Sequence, residues 1–214
     1  METERLRLCA FLEQLDPADW LVPSLCQGWT VHDLVAHLTI PTRATMPDVI
    51  IGAIRARGNF HRMTARQARD RAARFTPDEL IAQLRETAGS DRRMPGSGPM
   101  DPLVDVLVHG QDIARPLRRP LPMPVTLAVA ALDYVLDNRF TGAPKRVADL
   151  RLVAADADWA TETGTAEVRG PAADLLLAAM GRPEGLSTVS GSGIDRLTER
   201  LRDGSAPGTS RGGR

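Results

Sequence analysis

The sequence predicts an α+β protein, a helical bundle followed by a small α+β domain. Three observations carry this. From the N-terminus to about residue 140, apolar residues recur at helical spacing. After residue 146 the pattern changes to strand, strand, helix, strand, helix. Gly- and Pro-rich runs such as DRRMPGSGPM and RPLRRPLPMP punctuate the chain as loops. The expected organisation is a bundle over 1–140, a small α+β domain over 146–203, and a disordered Gly/Ser-rich tail over 204–214.

Each element has its own signal. Leu6, Phe11, Leu12 and Leu15 give residues 3–15 an apolar face, and Asp16-Pro17 ends that helix. Residues 21–29 read as a loop. Thr30 then caps a helix with Asp33 three residues on, in a capping-box pattern, and Val31, Leu34, Val35 and Leu38 form its apolar face. A long Arg-studded helical segment is expected from Pro47 to about Phe75, with a break near Gly58. Thr76-Pro77-Asp78-Glu79 combines a cap, a proline and two acids, and starts a helix to about Thr87. Asp101-Pro102 starts the next, which stops near Pro116. Val125 to about Asn138 is the last helix assigned to the first domain. ADLRLVAADADW, TAEVRG and LSTVSG read as strands, with a helix opened by Gly170-Pro171 and a terminal helix in GIDRLTERL.

Composition narrows the function classes. The 214 residues suffice for one large domain or a medium and a small one. A hydrophobic content of 43% with 25% charged residues is that of an ordinary soluble globular protein. Acidic and basic residues balance at 27 each, so no excess cation is available for nucleic acid. Lys145 is the single lysine. Two cysteines, Cys9 and Cys26, make neither a disulfide framework nor a Cys-based zinc motif. The first residues lack the basic start and apolar run of a signal peptide, and no apolar run approaches the ~20 residues of a membrane span. A cytoplasmic protein without a membrane partner is expected.

Four histidines are present: His32, His37, His61 and His109. Asp105 and His109 are four apart on one helix, so both lie on one face. With His37, which sits in the apolar stretch LVAHL, they make a candidate three-ligand site for zinc or another divalent ion. Three protein ligands leave a position open, the layout of a catalytic site. The plainer alternative also stands: a histidine on an apolar face is more often a core residue, and an acid four before a histidine occurs by chance in many helices. His32, at the helix start, is expected exposed, and His61, among polar residues, solvated. Asp112 either accepts the second imidazole N–H of a ligand histidine or pairs with Arg115 along the helix. Trp29 reads as a core anchor and Cys26 as structural.

PSLCQGWTVHDLVAHL followed by DVLVHGQDIARPL resembles the mycothiol-dependent maleylpyruvate isomerase family of the DinB-like superfamily. DADWATETGTAEVRGPAADLLLAAMGR resembles that family's small second domain. The resemblance implies a DinB-like four-helix bundle followed by a sterol-carrier-like α+β domain. It implies a divalent metal, zinc foremost, held by His37, Asp105 and His109, and mycothiol as a thiol cofactor. Asp105 is one methylene shorter than the Glu of the isomerases, which draws an ion toward its helix or leaves room for a bridging water. The implied chemistry is cis–trans isomerisation, or transfer of the thiol to a small electrophilic substrate, by a monomer or homodimer. Arg182 is the positional candidate to hold a substrate carboxylate; its other reading is an Arg complementing a helix C-terminus. The alternatives are a metal-dependent hydrolase and a non-catalytic metal- or ligand-binding module.

Overall fold

The structure, a computed structural model, describes residues 1–43, 45, 47 and 60–205. Most of the long helix expected from Pro47, and the tail beyond Ser205, lie outside the described residues. The chain divides into two compact units, Met1–Leu121 and Pro122–Arg214. Among the described residues no helix is long and apolar enough to cross a membrane.

The first unit is a helical bundle of α1 (Glu2–Leu12), α2 (Val31–Leu38), α3 (Phe60–Ala72), α4 (Pro77–Glu86) and α5 (Asp101–Ala114). α2 packs against α3, α4 and α5, and α1 against α4 and α5. Leu8, Leu12, Leu34, Leu80 and Ile113 are fully buried between them. Each such side chain contributes roughly 1.5–3 kcal/mol by leaving water. In α1 Phe11 and Leu12 are buried as expected, and Leu15 just beyond it packs against the core, but Leu8 joins them and Leu6 faces out with 39% exposure. Arg5 is buried and donates to the carbonyls of Thr87, Ala88 and Ser90, closing the C-terminus of α4.

Both expected capping boxes form. Thr30 Oγ1 accepts from Asp33 N, and Asp33 Oδ2 accepts from Thr30 N at 3.0 Å. Thr76 and Glu79 do the same at the start of α4. The first box sets the entry of α2, the helix that carries His37.

The second unit begins with α6 (Val125–Asp137), which packs on α8 (Ala172–Ala179). The sequence reading assigns α6 to the first domain, but its partners put it in the second unit. A short α7 (Ala143–Arg146) follows. Strands β1 (Leu150–Ala154) and β2 (Ala166–Gly170) pair in parallel, with Leu150 opposite Ala166. LSTVSG is not a third strand. Pro183–Thr188 is a 3₁₀ turn drawn onto α8, where Gly185 leaves no room for a Cβ beside Asp174 O and Ala178 N, and only Ser190 bridges to Arg169. α9 (Ile194–Ser205) closes the unit. Between the strands the chain passes so close to β1 that a Cβ on Gly164, at φ +122°, would lie 2.3 Å from Arg151 N.

Thr30→Ala is expected to lower stability by about 1 kcal/mol through loss of the cap. Gly164→Ala is expected to exceed that loss severalfold, since both its φ and its surroundings exclude a side chain. Urea unfolding measures both.

Candidate metal centre

The candidate residues of the first unit come from three pieces of chain. The loop before α2 supplies Cys26 and Trp29, α2 supplies His37, and α5 supplies Asp105, His109 and Asp112. Positions 105, 109 and 112 are four and three apart, so one stripe of α5 carries all three. Leu25 N donates to the Asp112 carbonyl at 3.0 Å, which ties the loop to α5.

His37 and His109 meet. Their ring centroids are 5.4 Å apart in an edge-to-face arrangement. Trp29 packs edge-on to the other side of His37 at 5.3 Å. It therefore lines the site as well as anchoring the helix entry. His37 Nδ1 is buried with no hydrogen-bond partner. Such a nitrogen costs free energy unless something coordinates it.

His109 is held from behind. Its Nδ1 lies 2.8 Å from Oδ2 of Asp112, which is completely buried. Cys26 Sγ donates to the same oxygen at 3.3 Å and lies 3.7 Å from His109 Nδ1. Among the described residues, Cys26, His109 and Asp112 are the group of potential metal ligands whose atoms all lie within 4.8 Å of one another. His37, Asp105 and His109 do not converge to that degree. Asp105 sits half-buried one turn before His109.

Distances decide what the Cys26 cluster is. Ligands at ~2.0–2.3 Å from a tetrahedral zinc are about 3.3–3.8 Å from each other. The separation of Cys26 and His109 fits that range, but 2.8 Å between His109 and Asp112 is a hydrogen bond. With Nδ1 so committed, Nε2 is the atom His109 can bring to an ion, once an arriving ion displaces its proton. The carboxylate fixes the tautomer, an arrangement common behind metal-binding histidines. Of the two sequence readings of Asp112, the contact with His109 is seen; among the contacts of Arg115 is a hydrogen bond to Gln111 at 3.2 Å. The donor set, two facing imidazoles of which one has an unmatched buried nitrogen, fits a divalent ion, and Asp105 lies one turn before His109 on the same stripe.

The two imidazoles differ in charge. Burial, reinforced by the neighbouring His109, lowers the pKa of His37 to about 3, so it is neutral. Burial also pulls His109 down, but the Asp112 hydrogen bond, together with Cys26, outweighs it and raises the pKa to about 10.

The other candidates fall elsewhere. His32 is not exposed: its Nε2 lies 3.0 Å from the Phe75 carbonyl and its ring packs edge-on to Trp20. The side chain of His61 lies outside what the structure describes. Arg182 belongs to the second unit, where it donates to the Met180 carbonyl at 2.7 Å. The sequence reading missed Cys26. Its only signal was a cysteine three residues before the tryptophan that enters α2.

Residues 1–99 match the model of the mycothiol maleylpyruvate isomerase N-terminal domain. Two solved structures share the fold. One is a histidine-to-alanine mutant of the mycothiol-dependent maleylpyruvate isomerase, with a TM-score of 0.59 at 14% identity. The other is the mycothiol-dependent maleylpyruvate isomerase itself, with a TM-score of 0.56 at 13% identity. Each comparison covers 89% of this chain and 89% of the other. No curated protein sequence matches the chain.

The metal-free protein should lose stability in acid through His37. With its folded pKa near 3 and an ordinary value of 6.5, the contribution is whole above pH 6.5 and falls as pH drops toward 3. The slope is at most ~1.4 kcal/mol per pH unit. His109 has the opposite sign: its contribution is present below pH 6.5 and is lost as pH rises through about 10. In pH-dependent unfolding, His37→Leu should flatten the acid limb and Asp112→Asn the alkaline one. An unchanged acid limb in His37→Leu would contradict a neutral buried His37.

Proposed function

We propose that this chain, a member of the mycothiol maleylpyruvate isomerase family through its first 99 residues, is a metal- and mycothiol-dependent enzyme that isomerises a small electrophilic substrate or transfers a thiol to it. The observation that carries the proposal is the facing pair His37 and His109, one with an unmatched buried nitrogen and the other held by a buried carboxylate. The ion would be held by His37 and His109 Nε2, with Asp105 as the third ligand. When bound, the ion lowers the pKa of a coordinated thiol and presents it as thiolate.

The chain's own residues do the rest. His37 is neutral before an ion arrives, so its nitrogen lone pair is ready without loss of a proton. Asp112 holds the His109 ring in one tautomer and balances the positive charge the site gathers. Trp29 covers one face of His37. Arg182, in the second unit, is proposed as the group that binds a substrate carboxylate.

Metal analysis of protein purified without added metal tests the site. A bound ion is expected, lost in His37→Ala and in His109→Ala, and held about 10–100-fold more weakly in Asp112→Asn. In cobalt-substituted protein, mycothiol should produce a thiolate-to-metal absorption band. A metal content near zero that neither histidine variant changes would overturn the enzyme reading. A metal-loaded protein that shows no band but hydrolyses a test ester would point to a hydrolase.

A further inference from the structure

The second unit contains a cavity of about 450 Å³ lined by Gly142, Lys145, Arg146, Arg200 and Asp203. Three cations and one carboxylate line it, a local excess of positive charge in a chain whose charges otherwise balance. One of the three is the only lysine of the sequence. Among the described residues, none of Lys145, Arg146 and Arg200 forms an ion pair. Elsewhere the arginines of this protein readily find acids: Arg119 pairs with both Asp16 and Asp19, and Arg151 and Arg169 share Glu167.

Two of the cations are fixed in place. Arg146 donates from Nη1 to the Ala179 carbonyl at the end of α8. Arg200 donates from Nη1 to the carbonyls of Arg146 and Ala148. Each bond uses one nitrogen of a group with five N–H donors. Glycines make room for the Arg146 fork: a Cβ on Gly142 would stand 3.5 Å from its Nη2, and one on Gly181 3.3 Å from its Cζ. Burial and the nearby Arg182 both lower the pKa of Arg146, a guanidinium held where its charge is uncomfortable. Capping of backbone carbonyls accounts for these bonds but not for the gathering around one space of three cations that form no ion pair among the described residues.

We propose that this cavity is a binding site for a small, doubly charged oxyanion. Arg146 and Arg200 offer planar forks suited to carboxylate or phosphate oxygens, and Lys145 adds a mobile charge at the edge. Asp203 faces the same space and keeps the net charge at a level a dianion can match.

Calorimetric titration of the full chain at low ionic strength tests this, with inorganic phosphate as one probe and malonate as the other. Saturable binding of at least one probe is expected, and which one binds identifies phosphate or dicarboxylate chemistry. Lys145→Glu, an exposed and structurally mild change, should weaken binding at least about tenfold. Asp203→Asn should strengthen it about threefold, a gain that misfolding does not produce. Stripping bound metal should leave the affinity unchanged, so this site and the proposed metal centre can fail separately. No saturable binding of either probe would overturn the proposal. So would binding indifferent to Lys145→Glu, or binding lost with the metal.

Discussion

The buried carboxylate of Asp112 is the constraint on which the first unit's site depends. It has no contact with water. An isolated charge in that position would cost several kcal/mol, so its partners are obligatory. It meets this need with the His109 imidazole and the Cys26 thiol, and its backbone carbonyl takes the Leu25 amide as well. One residue therefore orients the His109 ring, seats a cysteine and pins the loop that leads into α2. That loop ends in Trp29 and the Thr30 cap, and so sets where His37 emerges.

The charge states of the site follow from the same group. His109 is held positive by Asp112, and a second positive imidazole 5.4 Å away is excluded. Burial is the larger cause of the neutral His37, and the charge on His109 adds to it. The pair thus separates into a histidine with a counter-ion and one without. A neutral histidine with an unmatched buried nitrogen is a poor core residue, and it is the feature on which the proposed metal site rests.

Much of the fold was legible in the sequence because it is written in local signals. The capping boxes at Thr30 and Thr76, the proline starts at Pro77 and Pro102, and the helical runs around them depend on residues within one turn. The errors arise where partners are distant. Helix α6 carries no mark that it packs on α8 rather than on the bundle. LSTVSG has strand-forming residues, but Gly185 lets the chain close onto α8 and a 3₁₀ turn wins. For the site, the helical stripe of α5 and the inward position of His37 could be read directly. The choice between the two roles of Asp112 could not, since Arg115 and His109 are both within reach along the helix. Nor could the part played by Cys26, which is set by a loop returning to α5 from 86 residues away.

Placing three of the site's groups on one stripe of α5 also limits how the site can diverge. Insertion of one residue between Asp105 and His109 would swing every later position by about 100° around the helix axis. His109 and Asp112 would then leave His37 and Cys26 together. Length change in α5 is therefore all-or-nothing for this centre, whereas the loop holding Cys26 and Trp29 can be exchanged one side chain at a time. Relatives that keep the α5 register but alter that loop would retain the imidazole pair while changing what stands behind and beside it.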